Sequence, residues 1–103
     1  DHYLGIFAVT SKMTKNHMAI FNHDKKEGLI RTFPLGTAKG AKIFGPARDI
    51  PVNTYTISGG PSYIEIWGGK TETFWDYETL PPGSSVRWNE EWCIVEDVNE
   101  IPK

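Results

Sequence analysis

The chain has 103 residues, of which 39% are apolar and 23% charged, with a net charge of −2. That length bounds it to a single domain over residues 1–103 with one modest core, and the composition lies well away from disordered chains. Nucleic acid is not an expected partner, because Arg31, Arg48 and Arg87 are scattered and no basic stripe exists.

Membrane insertion is not expected either, since no apolar run approaches the ~20 residues of a spanning helix. The longest such run, Tyr3–Val9, is strand-sized, interrupted by Gly5, and lacks the charged front of a secretory signal. Cys93 is alone, which excludes an intrachain disulfide and is compatible with a reducing compartment. The first residue, Asp1, is equally compatible with a processed, secreted chain.

In chain order, Tyr3–Val9 reads as the first strand. Thr10–Lys15 can make one helical turn, with Thr10 or Ser11 as its cap. His17–Phe21 and Leu29–Phe33 read as two strands of a hairpin around residues 22–28, with Gly28 free to take positive φ. Gly36–Pro51 shows no clear period and reads as a long loop, a class that is often functional. Val52–Ile57 follows as a strand, and Ser58-Gly59-Gly60-Pro61 as a break inside the domain. Ser62–Trp67 and Thr71–Asp76 read as strands joined by a Gly68-Gly69 turn. After Pro81-Pro82-Gly83 come Ser84–Trp88 and Trp92–Glu96. The last of these admits a helical reading, but Ile94 and Val95 are β-branched and favour a strand. About eight short strands without a βαβ rhythm predict an all-β fold, an antiparallel sandwich or partly open barrel.

Two resemblances arise along the way. Phe21…Gly28, with Ser84–Trp88 and Trp92–Asp97, resembles βγ-crystallin Greek keys, which implies an all-β fold. Lys26 stands where those motifs carry a second aromatic, and their acidic-then-serine calcium pattern is missing. Met18–Phe33 with Pro51–Ile57 is similar to the opening of L,D-transpeptidase domains, and Cys93-Ile94-Val95 mimics their nucleophile segment. That chemistry needs Ser-His-Gly before the cysteine, where this chain has Glu90, Glu91 and Trp92. Neither resemblance assigns the chain to a family.

Candidate chemistry is sparse. Cys93 lies among Glu90, Glu91, Glu96 and Asp97, which oppose thiolate formation, so a buried structural cysteine is expected. His17, His23 and Asp24 are too few for a zinc site, and the acidic C-terminal residues read as a solvated edge that guards a strand. No phosphate cradle, dinucleotide glycine pattern or nucleophile elbow appears, so no cofactor is expected. Glu65, Glu72, Asp76 and Glu78 supply ingredients for a hydrolase carboxylate pair, as any hairpin of this composition would.

The most informative feature is aromatic. All four tryptophans fall in a window that also holds Tyr63, Phe74 and Tyr77. On the 62–67 strand, alternation puts Tyr63 and Trp67 on the face opposite Ile64 and Ile66. Phe74 and Trp75 are adjacent, so one of them must point away from the core. The expected site is therefore a sheet face carrying Tyr63, Trp67, Trp75, Tyr77 and Trp88. Trp and Tyr on such a face stack on sugars or anchor protein partners. The sequence thus points to a binder of carbohydrate. The alternatives are a protein-interaction domain (an inhibitor, an immunity factor or a subunit of a larger assembly) and a small hydrolase or transferase.

Overall fold

The structure, a computed structural model, describes residues 4–45 and 63–103. Within them the chain forms six strands and two short 3-10 turns. The strands are β1 (Leu4–Phe7), β2 (His17–Asn22), β3 (Glu27–Thr32), β4 (Lys42–Gly45), β5 (Glu65–Trp67) and β6 (Glu91–Val95). They make two antiparallel three-stranded sheets, ordered β1-β4-β5 and β2-β3-β6. The all-β class is as expected from the β-branched and aromatic runs. The strand set differs from the expected eight.

Three differences have local causes. Thr71–Asp76 is not a strand, because Thr73 folds the backbone onto itself. Its N–H and hydroxyl donate to Asp76 Oδ2 at 3.1 and 2.9 Å, while its Oγ1 accepts from the N–H groups of Trp75 and Asp76. Such side-chain bonds compete with a ladder. Gly68-Gly69 is consequently not a hairpin turn. Instead Gly69 O accepts from Gly40 N–H at 2.9 Å, extending the β4–β5 pairing past the strand ends. Ser84–Trp88 is also irregular, with Trp88 packed on the core. Conversely β4 forms inside the expected loop 36–51, antiparallel to both β1 and β5. The expected strand Val52–Ile57, the Ser58–Pro61 break and the end of the 36–51 loop lie outside the described residues.

The β2–β3 hairpin forms as read, but its left-handed residue is Lys26, at φ 53°, rather than Gly28. Gly28 is required for a different reason: a Cβ there would lie 2.6 Å from Ile20 O and from the Phe21 ring. A non-glycine residue in the left-handed region costs roughly 1 kcal/mol. Lys26→Gly relieves that strain but loosens the unfolded chain, so the net expectation is a stabilisation of at most about 1 kcal/mol, read as a higher urea midpoint with an unchanged m-value. The first 3-10 turn, Thr10–Lys12, has Val9 as its N-cap with no side-chain cap. The Thr10 hydroxyl donates instead to Glu72.

The core sits where the sheets meet. Phe33, Ala38 and Ala41 are buried, with Ala8, Met13, Met18, Leu35 and Trp88 against them. Arg31, the penultimate residue of β3, is wholly buried there. Its Nη1 donates to Gly40 O at 2.9 Å, and its guanidinium lies 4.0 Å from the Phe33 ring centroid. Its Nε and Nη2 make a two-point contact with the Glu90 carboxylate at 2.7 and 3.2 Å. A Cβ on Gly68 would stand 2.5 Å from Nη2, so glycine lets the end of β5 approach the guanidinium. One side chain of the second sheet thus bonds the backbone leading into β4 and packs against the backbone leaving β5.

Candidate functional site

The ladder phase of the β1-β4-β5 sheet sets its two faces. Phe7 pairs with Lys42 and Lys42 with Trp67, while Phe44 pairs with Glu65. Opposed residues share a face, so Phe7, Lys42, Phe44 and Trp67 project together. Ile6, Ile43 and Ile66 form the row on the other side, as the alternation of Ile66 and Trp67 predicts.

The irregular segment after β5 folds back over the aromatic face. Phe74 stacks on Phe44 at 5.4 Å and 5° between planes. It meets Phe7 and Trp67 edge-on at 5.4 and 5.5 Å. Trp75 leans on Phe7 at 5.4 Å. Beneath this layer Lys42 is buried, its Nζ donating to Thr71 O at 3.0 Å and lying 5.2 Å from the Phe74 ring centroid. Burial pushes this amine below the ordinary lysine value, against the nearby Asp76 carboxylate, which raises it.

The upper surface of the cluster is open to solvent. Trp67 is 44% exposed, Phe74 48% and Trp75 71%. Of the adjacent pair Phe74 and Trp75, both therefore face outward, more than alternation required. The residues that follow Trp75 help to line an open groove of about 390 Å³, whose walls include Lys39, Glu72, Asp76, Tyr77 and Glu78. Tyr77 is 93% exposed at its rim. Glu78 is gripped by Lys70 and Lys39, whose hydrogen bonds hold its carboxyl below the usual range.

Of the sequence-predicted residues, the structure brings Trp67 and Trp75 into one cluster and sets Tyr77 beside it. Tyr63 is half-buried ahead of β5. Trp88 belongs elsewhere: it packs on the core and its Nε1 donates to Glu90 Oε1 at 2.8 Å. Phe7, Phe44, Phe74 and Lys42 are members that alternation alone did not reach. Phe7 and Phe44 were obscured because their β1–β4 pairing joins segments far apart in sequence.

Two further expectations are corrected. Cys93 is exposed rather than buried; it lies on β6, the edge strand of the β2-β3-β6 sheet. Glu90 is not part of a solvated edge but the partner of Arg31. Among the described residues no three His, Cys, Asp or Glu side chains converge as metal ligands, and no helix is long and apolar enough to cross a membrane.

Compared with protein-family models, with curated proteins and with solved structures, the chain matches none.

Proposed function

We propose that the domain is a non-enzymatic binding module whose contact face is the exposed aromatic cluster of Trp67, Phe74 and Trp75, with carbohydrate as its ligand class. The observation that carries this reading is a 71% exposed indole that directly precedes, in the chain, Asp76 and Tyr77, two residues lining a groove of hydrogen-bonding side chains. A sugar ring presents an apolar C–H face and a rim of hydroxyls. The first suits Trp75; the second suits the Asp76 carboxylate, the Tyr77 phenol and the Lys39 ammonium. The carboxylates Glu72, Asp76 and Glu78 disfavour anionic sugars, so neutral glycans fit best. The scaffold in this reading is a sandwich-like pairing of the two sheets, bridged by Arg31.

A specific observation favours a second reading, a protein-interaction surface. The rings of Phe7, Trp67 and Trp75 are steeply inclined to Phe74 or to one another. They form a knobbed surface more than a flat platform, and knobs of Trp and Phe suit a protein pocket.

Titration of the tryptophan emission with soluble neutral and acidic glycans separates the two. Saturable quenching or a blue shift with a neutral glycan, and little response to acidic ones, is expected. A flat response to the whole panel removes the carbohydrate reading and leaves the protein one.

A further inference from the structure

The β2-β3-β6 sheet carries a second feature, independent of the aromatic cluster. Its ladder phase can be read from one bond. Phe33 N–H donates to Asn16 O at 2.9 Å, one step beyond the β2–β3 strand ends. In an antiparallel pair, hydrogen-bonded positions alternate. The bonded pairs of β2–β3 are therefore Met18–Arg31, Ile20–Leu29 and Asn22–Glu27. The intervening β3 residues turn to β6, bonding Gly28 to Val95, Ile30 to Cys93 and Thr32 to Glu91. The N–H and C=O groups of Trp92 and Ile94 consequently point out of the sheet's outer edge. No hydrogen bond joins them to any described residue. The next outward N–H, that of Glu96, is taken by Glu100 Oε1. The open edge is thus limited to two residues, with two donors and two acceptors.

The chemistry around this edge is directional. Trp92 and Ile94 share a face with Leu29 and Ile20, and Ile94 is 79% exposed beside an apolar groove of about 370 Å³. Glu91 flanks the open pair at one end, Glu96 and Asp97 at the other. Acidic groups at both ends oppose pairing with a second, identical β6 strand, the usual hazard of an exposed edge. They attract a strand whose ends are basic.

We propose that the β6 edge is a docking site for an extended segment of a protein partner, added antiparallel to β6. Its core is two apolar residues spaced two apart, with Lys or Arg flanking them. The apolar pair lies opposite Ile94 and Trp92, prolonging the Ile20–Leu29–Ile94 row. The basic residues face Glu96 and Glu91. Four backbone bonds supply affinity, and the charges supply selection, as in other strand additions.

The probe is an acetylated, amidated hexapeptide, Lys-Thr-Val-Thr-Val-Lys, titrated into the intact chain and followed by amide NMR. Binding at a Kd of about 1 mM is expected. It should shift and protect the Trp92 and Ile94 amides, which face outward, and spare the Cys93 amide, already bonded to β3. Replacing both lysines by glutamate should weaken it about tenfold, and raising salt to about 0.5 M should weaken it several-fold. N-methylation of both valine amides should abolish it without touching the protein. Ile94→Pro should do the same, since proline is tolerated where the N–H faces away from the sheet. Undiminished binding to the N-methylated or glutamate peptide overturns the proposal. So does no shift up to about 5 mM peptide, or a self-association of the chain that Ile94→Pro removes, which would make a second copy the occupant.

Discussion

Glu90→Ala is expected to cost about 3–5 kcal/mol of stability, more than a typical core truncation in a domain this small. The reason is the state it leaves behind. Arg31 has no exposed surface, and a guanidinium does not shed its charge in proteins, so without its carboxylate a buried charge is left uncompensated. The loss extends further, because Glu90 accepts four bonds. Two come from Arg31, and one each from the indoles of Trp88 and Trp92, both at 2.8 Å. Removal leaves Nε and Nη2 of Arg31 and the half-buried Trp88 indole without this acceptor, while Trp92, 47% exposed, can turn to water. For a domain near 100 residues the expected fall in Tm is at least about 12 °C. Glu90→Gln, which retains acceptor capacity but not charge, should fall between wild type and alanine. A double change, Arg31→Met with Glu90→Gln, should recover part of the loss, because burying a thioether removes the uncompensated charge. If Glu90→Ala melts within about 2 °C of wild type, the pair is not a main support of the fold.

The same pair sets the acid limit of the fold. Hydrogen bonds from Arg31, opposed by desolvation and aided by the two indoles, hold the Glu90 carboxyl down at about 2 from an ordinary 4.5. A carboxyl whose folded pKa is depressed takes up its proton more readily in the unfolded chain. Its contribution is therefore complete above pH 4.5 and is lost as pH falls from there towards 2. Urea midpoints measured through that window should decline steeply in the wild type and more gently in Glu90→Gln.

What could be read in the sequence, and what could not, divides along range. β1, β2, β3 and β6 announced themselves through local runs of β-branched and aromatic residues, and the β2–β3 turn through its polar loop. β4 did not, because it has four residues and one is a lysine that burial hides beneath Phe74. Thr71–Asp76 has strand-like composition, yet Thr73 and Asp76 spend their polar groups on a local turn that composition cannot reveal. At the site, Trp67 and Trp75 were legible from alternation and adjacency. Their partners Phe7 and Phe44 were not, because they arrive through a strand pairing between distant parts of the chain. Trp88 was misplaced with them by proximity in sequence. The pattern that would have separated it is Trp88-Asn89-Glu90-Glu91-Trp92. It sets an indole two residues either side of one carboxylate, and an arginine waits in the apolar strand 29–33.

That separation yields the second large effect, on binding rather than stability. Trp75→Ala removes a ring that is mostly in solvent and touches Phe7 and Phe74 along one side. The folded state loses little, about 1 kcal/mol or less. The ligand loses its main stacking surface, and an anchoring aromatic of this kind is worth about 2 kcal/mol or more, a reduction in affinity of at least about thirtyfold. Trp88→Phe should show the reverse. Its ring packs on Phe33, Ala38 and Ala41 and its N–H serves Glu90, so the variant should lose stability while its affinity for the same glycan stays within about twofold. Calorimetric titration is the suitable measurement, because it does not depend on the tryptophan being removed. The crossed result, Trp88→Phe abolishing binding with Trp75→Ala neutral, would move the contact face from the first sheet to the second. Equal loss from both would point to a fold-wide effect and not to a surface. The contrast is sharp because the two indoles have opposite environments: one lies over an aromatic layer facing water, the other is held against the core by a carboxylate.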